Sequence, residues 1–155
     1  MSEDMKNMTP NTMTNDSKNL ECSSRFLYVK KSDVHGIGVF ASKNFQVGET
    51  IETFPIVPLF FRTHYQGDVR VVDYSVIKSC ECEECLRHGN VLYLRLGYGG
   101  IYNHQDEHNT EILMDYTNLI GTAKASRPIQ VNDEIFINYG LNYRFPEGKI
   151  SIRQS

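Results

Sequence analysis

The chain has 155 residues, enough for one compact domain and too few for two ordinary ones. With 40% hydrophobic and 23% charged residues it has the composition of a soluble globular protein, and no run approaches the apolar length needed to cross a bilayer. A net charge of −3 argues against direct contact with nucleic-acid phosphate, which calls for clustered Lys and Arg, and is compatible with a lysine-rich protein partner.

The first 22 residues are rich in Met, Asn, Thr, Ser and Asp, with almost no large apolar residue before Leu20. Such a stretch cannot offset the entropy of ordering and reads as a flexible tail, with the folded domain over residues 23–155. It also lacks the apolar core of a secretory signal, so the expected location is intracellular, with nothing to separate cytoplasm from nucleus. The first strand candidate is Phe26–Val29, ended by the polar run from Lys30 to Asp33. The segment Val34–Ala41 (VHGIGVFA) follows, with its second half β-favouring. It fits the dinucleotide fingerprint GxGxxA, yet a Rossmann unit needs a helix of a dozen or so residues to start at the second glycine. Val39 and Phe40 are strand formers, and the turn residues around Gly48 follow too soon for that helix. A glycine hairpin turn is the simplest alternative.

Ile51–Phe61 is a long apolar run interrupted by Pro55 and Pro58, which predicts an edge or bent strand. A variable segment covers residues 62–92, and the one short helix is expected at Tyr74–Lys78 or Cys85–His88. Further strands are expected at Glu111–Tyr116, Leu119–Ala125 and Ile135–Tyr139, with turns at Thr117–Asn118, Arg127–Pro128 and Asn132–Asp133. The class is therefore mostly β, with many short strands and few short helices.

Within the variable segment, Cys80, Cys82, Cys85 and His88 form the pattern CxCx2Cx2H. Three thiols and an imidazole at that spacing could bind zinc as a small knuckle, with Cys22 as a substitute for His88. Reduced cysteines in a tight acidic turn are the alternative. Four cysteines, three of them clustered, do not make a disulfide framework for a chain this long.

Three segments taken together carry a family resemblance: Val34–Ala41, Gly99–Asn109 (GGIYNHQDEHN) and Asp133–Gly140 (DEIFINYG). In this order and spacing they resemble the signature segments of the SET domain, which transfers a methyl group from S-adenosylmethionine to a lysine side chain. The second segment is similar to the family's NHSxxPN, with Gln105 in place of the serine and His108 in place of the proline. The resemblance spans about residues 25–145. It implies a β-clip fold of several small curved sheets, in which the Asn-His and tyrosine segments cross in a knot-like arrangement. Among its implications, Tyr139 is the catalytic residue, and His35, Gly36, Ile37, Gly38, Tyr102, Asn103, His104, Tyr139 and Tyr143 surround the cofactor. Asn109 is the third polar residue of the Asn-His segment, and Ile137, two before the tyrosine, is the position that in several members helps set how many methyls are added. The family's zinc-binding segment after the tyrosine is missing, since no cysteine follows Cys85, which leaves the residues from Asn142 to Phe145 as the expected cover.

The implied substrate is a lysine in a protein, for example a histone tail. Only the neutral amine attacks, and with a free pKa of ~10.4 its deprotonation at pH 7 costs about 4.6 kcal/mol. A narrow aromatic channel beside a sulfonium would lower that cost by desolvation and like-charge repulsion. Tyr98, Tyr102, Tyr139, Tyr143 and Phe145 lie near the motifs, while a general-base role for Tyr139 is disfavoured by a phenol pKa near ~10. Two rival readings remain: a SET-like module that binds a basic peptide without catalysis, and a zinc-dependent interaction domain centred on the cysteine cluster.

Overall fold

A computed structural model describes residues 24–59, 71, 74–78, 82, 83, 86 and 91–140. Among these, nine strands form three sheets beside a short 3-10 turn, and Val71, Glu83 and Leu86 are helical. The expected tail over residues 1–22 lies outside the described residues. None of the described helices is long and apolar enough to cross a membrane.

β1 (Leu27–Lys31) and β2 (Ile37–Ala41) form an antiparallel pair around the first glycine turn. The main sheet has the order β4-β5-β3-β8-β7, in which β3 (Thr50–Leu59) is central. Its neighbours are β5 (Val91–Arg95) and β8 (Ile120–Ala125), with β4 (Ser75–Lys78) and β7 (Thr110–Asp115) outermost. A third, parallel pair joins β6 (Asn103–His104) to β9 (Phe136–Ile137).

Of the expected edge or bent strand, the edge position needs correction. β3 is central in the sheet, but its halves have different partners: Thr50–Pro55 pairs with β8 and Ile56–Leu59 with β5. Pro55 sits at the handover, where its carbonyl accepts the Leu96 N–H at 3.0 Å and its missing N–H costs no ladder bond. The expected helix at Tyr74–Lys78 is also corrected: Ser75–Lys78 is a strand paired to β5. A run that short does not distinguish helix from strand by periodicity, and cross-strand pairing decides it. Of the alternative helix site, Cys85–His88, Leu86 is described: it is helical, and its N–H donates to the Cys82 carbonyl at 2.9 Å. β5 was not anticipated, and neither was the 3-10 turn at Gly97–Gly100.

The core gathers Val39, Phe45, Phe54, Tyr93, Ile129 and Ile135, all essentially buried. The Phe54 ring fits a slot that only glycine can line, since a Cβ on Gly99 would fall 2.6 Å from it and one on Gly121 2.3 Å. This slot fixes the Gly97–Gly100 turn over the centre of β3, directly before the Asn-His segment.

Candidate active site

The crossing is built from polar groups at each junction. β6 runs parallel to β9, with Asn103 opposite Phe136 and His104 opposite Ile137. Asn109 locks the pair by both ends of its amide: Nδ2 donates to the Glu134 carbonyl at 2.8 Å, and Oδ1 accepts the Phe136 N–H at 2.9 Å. One asparagine side chain thus satisfies a donor and an acceptor on a segment 25 residues away or more.

Asn103, buried at 7% exposure, faces the first glycine turn. Its Nδ2 lies 3.1 Å from the His35 carbonyl, 3.1 Å from the Ile37 carbonyl and 2.8 Å from Glu134 Oε1. The side chain therefore grips the turn's backbone. Between those carbonyls, Gly36 has φ of +53°, a left-handed conformation, and no atom within 4 Å of where a Cβ would stand. Val34 and Ile37 flank it with exposed side chains. Gly38 is different. A Cβ there would land 2.1 Å from Glu134 Oε1, so the missing side chain makes room for a carboxylate.

Tyr139 ends the third segment beside the other two. Its hydroxyl donates to the Tyr102 carbonyl at 2.7 Å, and its N–H donates to His104 Nδ1 at 3.1 Å. The two rings lie 5.3 Å apart, and the tyrosine is half-buried. Since His104 Nδ1 accepts, its proton belongs on Nε2, which is 3.3 Å from Asp106 Oδ1. Gly140 follows with φ of +86°, and no atom of the described residues lies within 4 Å of where a Cβ would stand.

The Tyr102 side chain points elsewhere. It is fully buried, and its hydroxyl donates to Glu52 Oε2 at 2.6 Å. What Tyr102 contributes at the crossing is its carbonyl. Glu52 also accepts the Tyr98 N–H at 3.0 Å and a backbone bond from Gly99, so one buried carboxylate holds the whole turn. Burial pushes the Glu52 carboxyl above its ordinary range, against the pull of those donors. Burial, together with the neighbouring Glu52 charge, raises the Tyr102 phenol well above its usual value.

The structure thus brings together His35, Gly36, Ile37, Gly38, the backbone of Tyr102, Asn103, His104 and Tyr139. Ile137 is 3% exposed and belongs to the hydrophobic core. Tyr143 and Phe145 lie outside the described residues, as do Cys80, Cys85 and His88. Cys82, the described member of the cysteine cluster, is half-buried against the core, and no three metal-ligating side chains group together among the described residues. Ser32, Glu52 and Glu134 were not singled out from sequence. Glu134 alone had a signal, since it lies inside the third segment.

Comparison with known proteins agrees with this geometry. The sequence description of the SET domain matches residues 36–140, so the chain belongs to the SET-domain family. Among solved structures, a Plasmodium falciparum protein described as a candidate histone methyltransferase is 32% identical, with a TM-score of 0.56 over 76% of this chain and 95% of that one. The polycomb repressive complex 2 of Chaetomium thermophilum in an autoinhibited conformation bound to S-adenosylmethionine has 22% identity and a TM-score of 0.54, over 78% of this chain and 16% of that one. The same complex with H3K27me3 and H3K27M has 23% identity and a TM-score of 0.55, over 80% and 15% of the respective chains. These two likenesses speak to the fold. No curated protein is significantly similar to the chain.

The residues present fit a sulfonium methyl donor. Among the described residues, space is open beside Gly36 and Gly140, and the junction presents electron-rich oxygens: the carbonyls of His35, Ile37 and Tyr102 and the phenol of Tyr139. A carbonyl oxygen has two lone pairs, so it can face positive charge beside its contact with Asn103 or Tyr139.

Proposed function

We propose that the chain is an active protein-lysine methyltransferase that uses S-adenosylmethionine. The observation that carries this reading is the anchoring of Tyr139: its hydroxyl is fixed on the Tyr102 carbonyl at 2.7 Å, its backbone on His104, and both partners belong to the Asn-His segment. When bound, S-adenosylmethionine would supply an electrophilic methyl carbon: the lone pair of a neutral lysine amine would form the N–C bond in line as the C–S bond breaks, leaving S-adenosylhomocysteine and a methylated ammonium whose proton passes to solvent.

The chain's own residues hold and shape. The turn at His35, Gly36, Ile37 and Gly38, with Asn103 and His104, would hold the cofactor, and Tyr143 belongs to the same proposed set. The Tyr139 proton is committed to a carbonyl, so the phenol oxygen offers lone pairs rather than a proton. That suits it to orient an amine and to stabilise positive charge on a moving methyl group. It does not suit a general base, which would have to abandon that bond. The substrate proposed is a lysine in a basic protein tail, supported by the net charge of −3 and by the histone-linked descriptions of similar structures. The proposed location is accordingly intracellular.

The test is methyl transfer from labelled S-adenosylmethionine to histones and a panel of other lysine-rich proteins, run beside Tyr139→Phe. Label on a lysine is expected in the wild type, with a loss on the order of 100-fold or more in the variant. Cofactor binding without transfer to any substrate would favour the non-catalytic module.

A further inference from the structure

Glu134 stands under the first glycine turn and touches both of the side chains that hold it. Oε1 accepts Asn103 Nδ2 at 2.8 Å, and Oε2 accepts the Ser32 hydroxyl at 2.9 Å. Each partner then reaches the turn from a different side. Asn103 binds its carbonyls, His35 and Ile37. Ser32, 5% exposed, accepts its amides: Val34 N–H at 3.0 Å and His35 N–H at 3.3 Å. The amides and the carbonyls of residues 34–37 are therefore both referenced to one carboxylate.

The arrangement has a defined polarity. An asparagine amide nitrogen has two hydrogens, and here it meets three oxygens, so reversing the amide would set oxygen against oxygen at each contact. The three oxygens together select the gripping orientation, because each of them faces a donor there. The backbone of Glu134 is itself fixed: it bridges to Phe40, and the flanking Ile135 N–H donates to the Val39 carbonyl at 2.8 Å. Gly38 completes the seat, because any side chain there would displace Oε1.

We infer that Glu134 is a positioning residue for the cofactor turn: through Asn103 and Ser32 it sets the direction of the His35 and Ile37 carbonyls, with Gly38 kept free of a side chain to admit it. This rests on the proposal that the turn binds S-adenosylmethionine. Glu134 touches the turn through other side chains, so its loss should weaken cofactor binding more than it slows chemistry.

Calorimetric titration with S-adenosylhomocysteine, paired with steady-state kinetics, tests the inference on the full chain. Glu134→Gln and Gly38→Ala are each expected to weaken binding about 10-fold and to raise the KM for S-adenosylmethionine similarly, with kcat within about threefold. Because both disturb the same carboxylate, the double variant should bind no worse than the weaker single, a non-additivity that a merely structural role would not produce. Ser32→Ala removes one arm only and should give a smaller loss, which keeps the idea testable where a harsher variant fails to fold. Unchanged binding in folded Glu134→Gln and Ser32→Ala, or fully additive losses in the double variant, would overturn the inference and leave the proposed function standing. A wild-type chain that binds no S-adenosylhomocysteine would sink both.

Discussion

Glu52 and Glu134 each lie under a glycine-rich turn, yet their surroundings differ. Glu52 is 2% exposed and accepts the Tyr102 hydroxyl and the Tyr98 and Gly99 amides inside the core. Glu134 is half-buried and works through Asn103 and Ser32 at the edge of the open turn. In both places a glycine leaves room for the carboxylate: a Cβ on Gly97 would come 2.8 Å from Glu52 Oε1, as one on Gly38 would come 2.1 Å from Glu134 Oε1. Gly97 thus serves a carboxylate as well as a left-handed backbone angle, whereas Gly38 serves a carboxylate alone. Burial then divides their roles, Glu52 holding structure and Glu134 directing a surface that a ligand can reach.

Substitution by leucine should separate the two most clearly. Glu52→Leu leaves the Tyr102 hydroxyl and the Tyr98 N–H without their acceptor in a dry interior, which costs about 3 kcal/mol. Glu134→Leu, closer to solvent, should cost less than about 1.5 kcal/mol. Urea unfolding midpoints with unchanged slopes would measure both. Equal losses would erase the distinction.

A smaller effect sharpens the comparison through pH. The Glu52 carboxyl is raised by burial, so between the ordinary carboxylate range and its raised value it keeps a proton that the unfolded chain has already released. Stability from this group is therefore present at acid pH and lost as pH rises through that window, then level above it. Glu52→Gln has no proton to release. The stability of wild type relative to Glu52→Gln should fall as pH rises from the ordinary carboxylate range through the raised value, and a flat difference would contradict the burial of the charge.

The legible and illegible parts of this chain divide on the same residues. β7 and β8 could be read because two short strand-forming runs flank the turn residues Thr117 and Asn118, and they pair antiparallel without interruption. Glu52 could not: alternation sets it on the face of Phe54 and Ile56, but a charged side chain carries no apolar mark of burial. Its neighbour Ile51 is buried as well, beside a register shift between Thr50 and Glu52 that alternation does not foresee. β3 was misjudged as an edge because its change of partner at Pro55 depends on segments far along the chain. For the site, the three motifs marked the backbone segments that meet. They did not reveal that Tyr102 sends its side chain into the core and only its carbonyl to Tyr139, or that Ser32 and Glu134 sit 102 residues apart in one hydrogen bond. Such contacts follow from packing, and single polar residues carry no periodic signal.

Addition of S-adenosylhomocysteine to isotope-labelled protein, followed by the backbone amide resonances, tests the convergence of the three segments most directly. Amides of residues 34–38, 102–104 and 139–140 should shift together along one saturation curve. Shifts confined to a single segment, or gathered elsewhere on the molecule, would contradict a shared site.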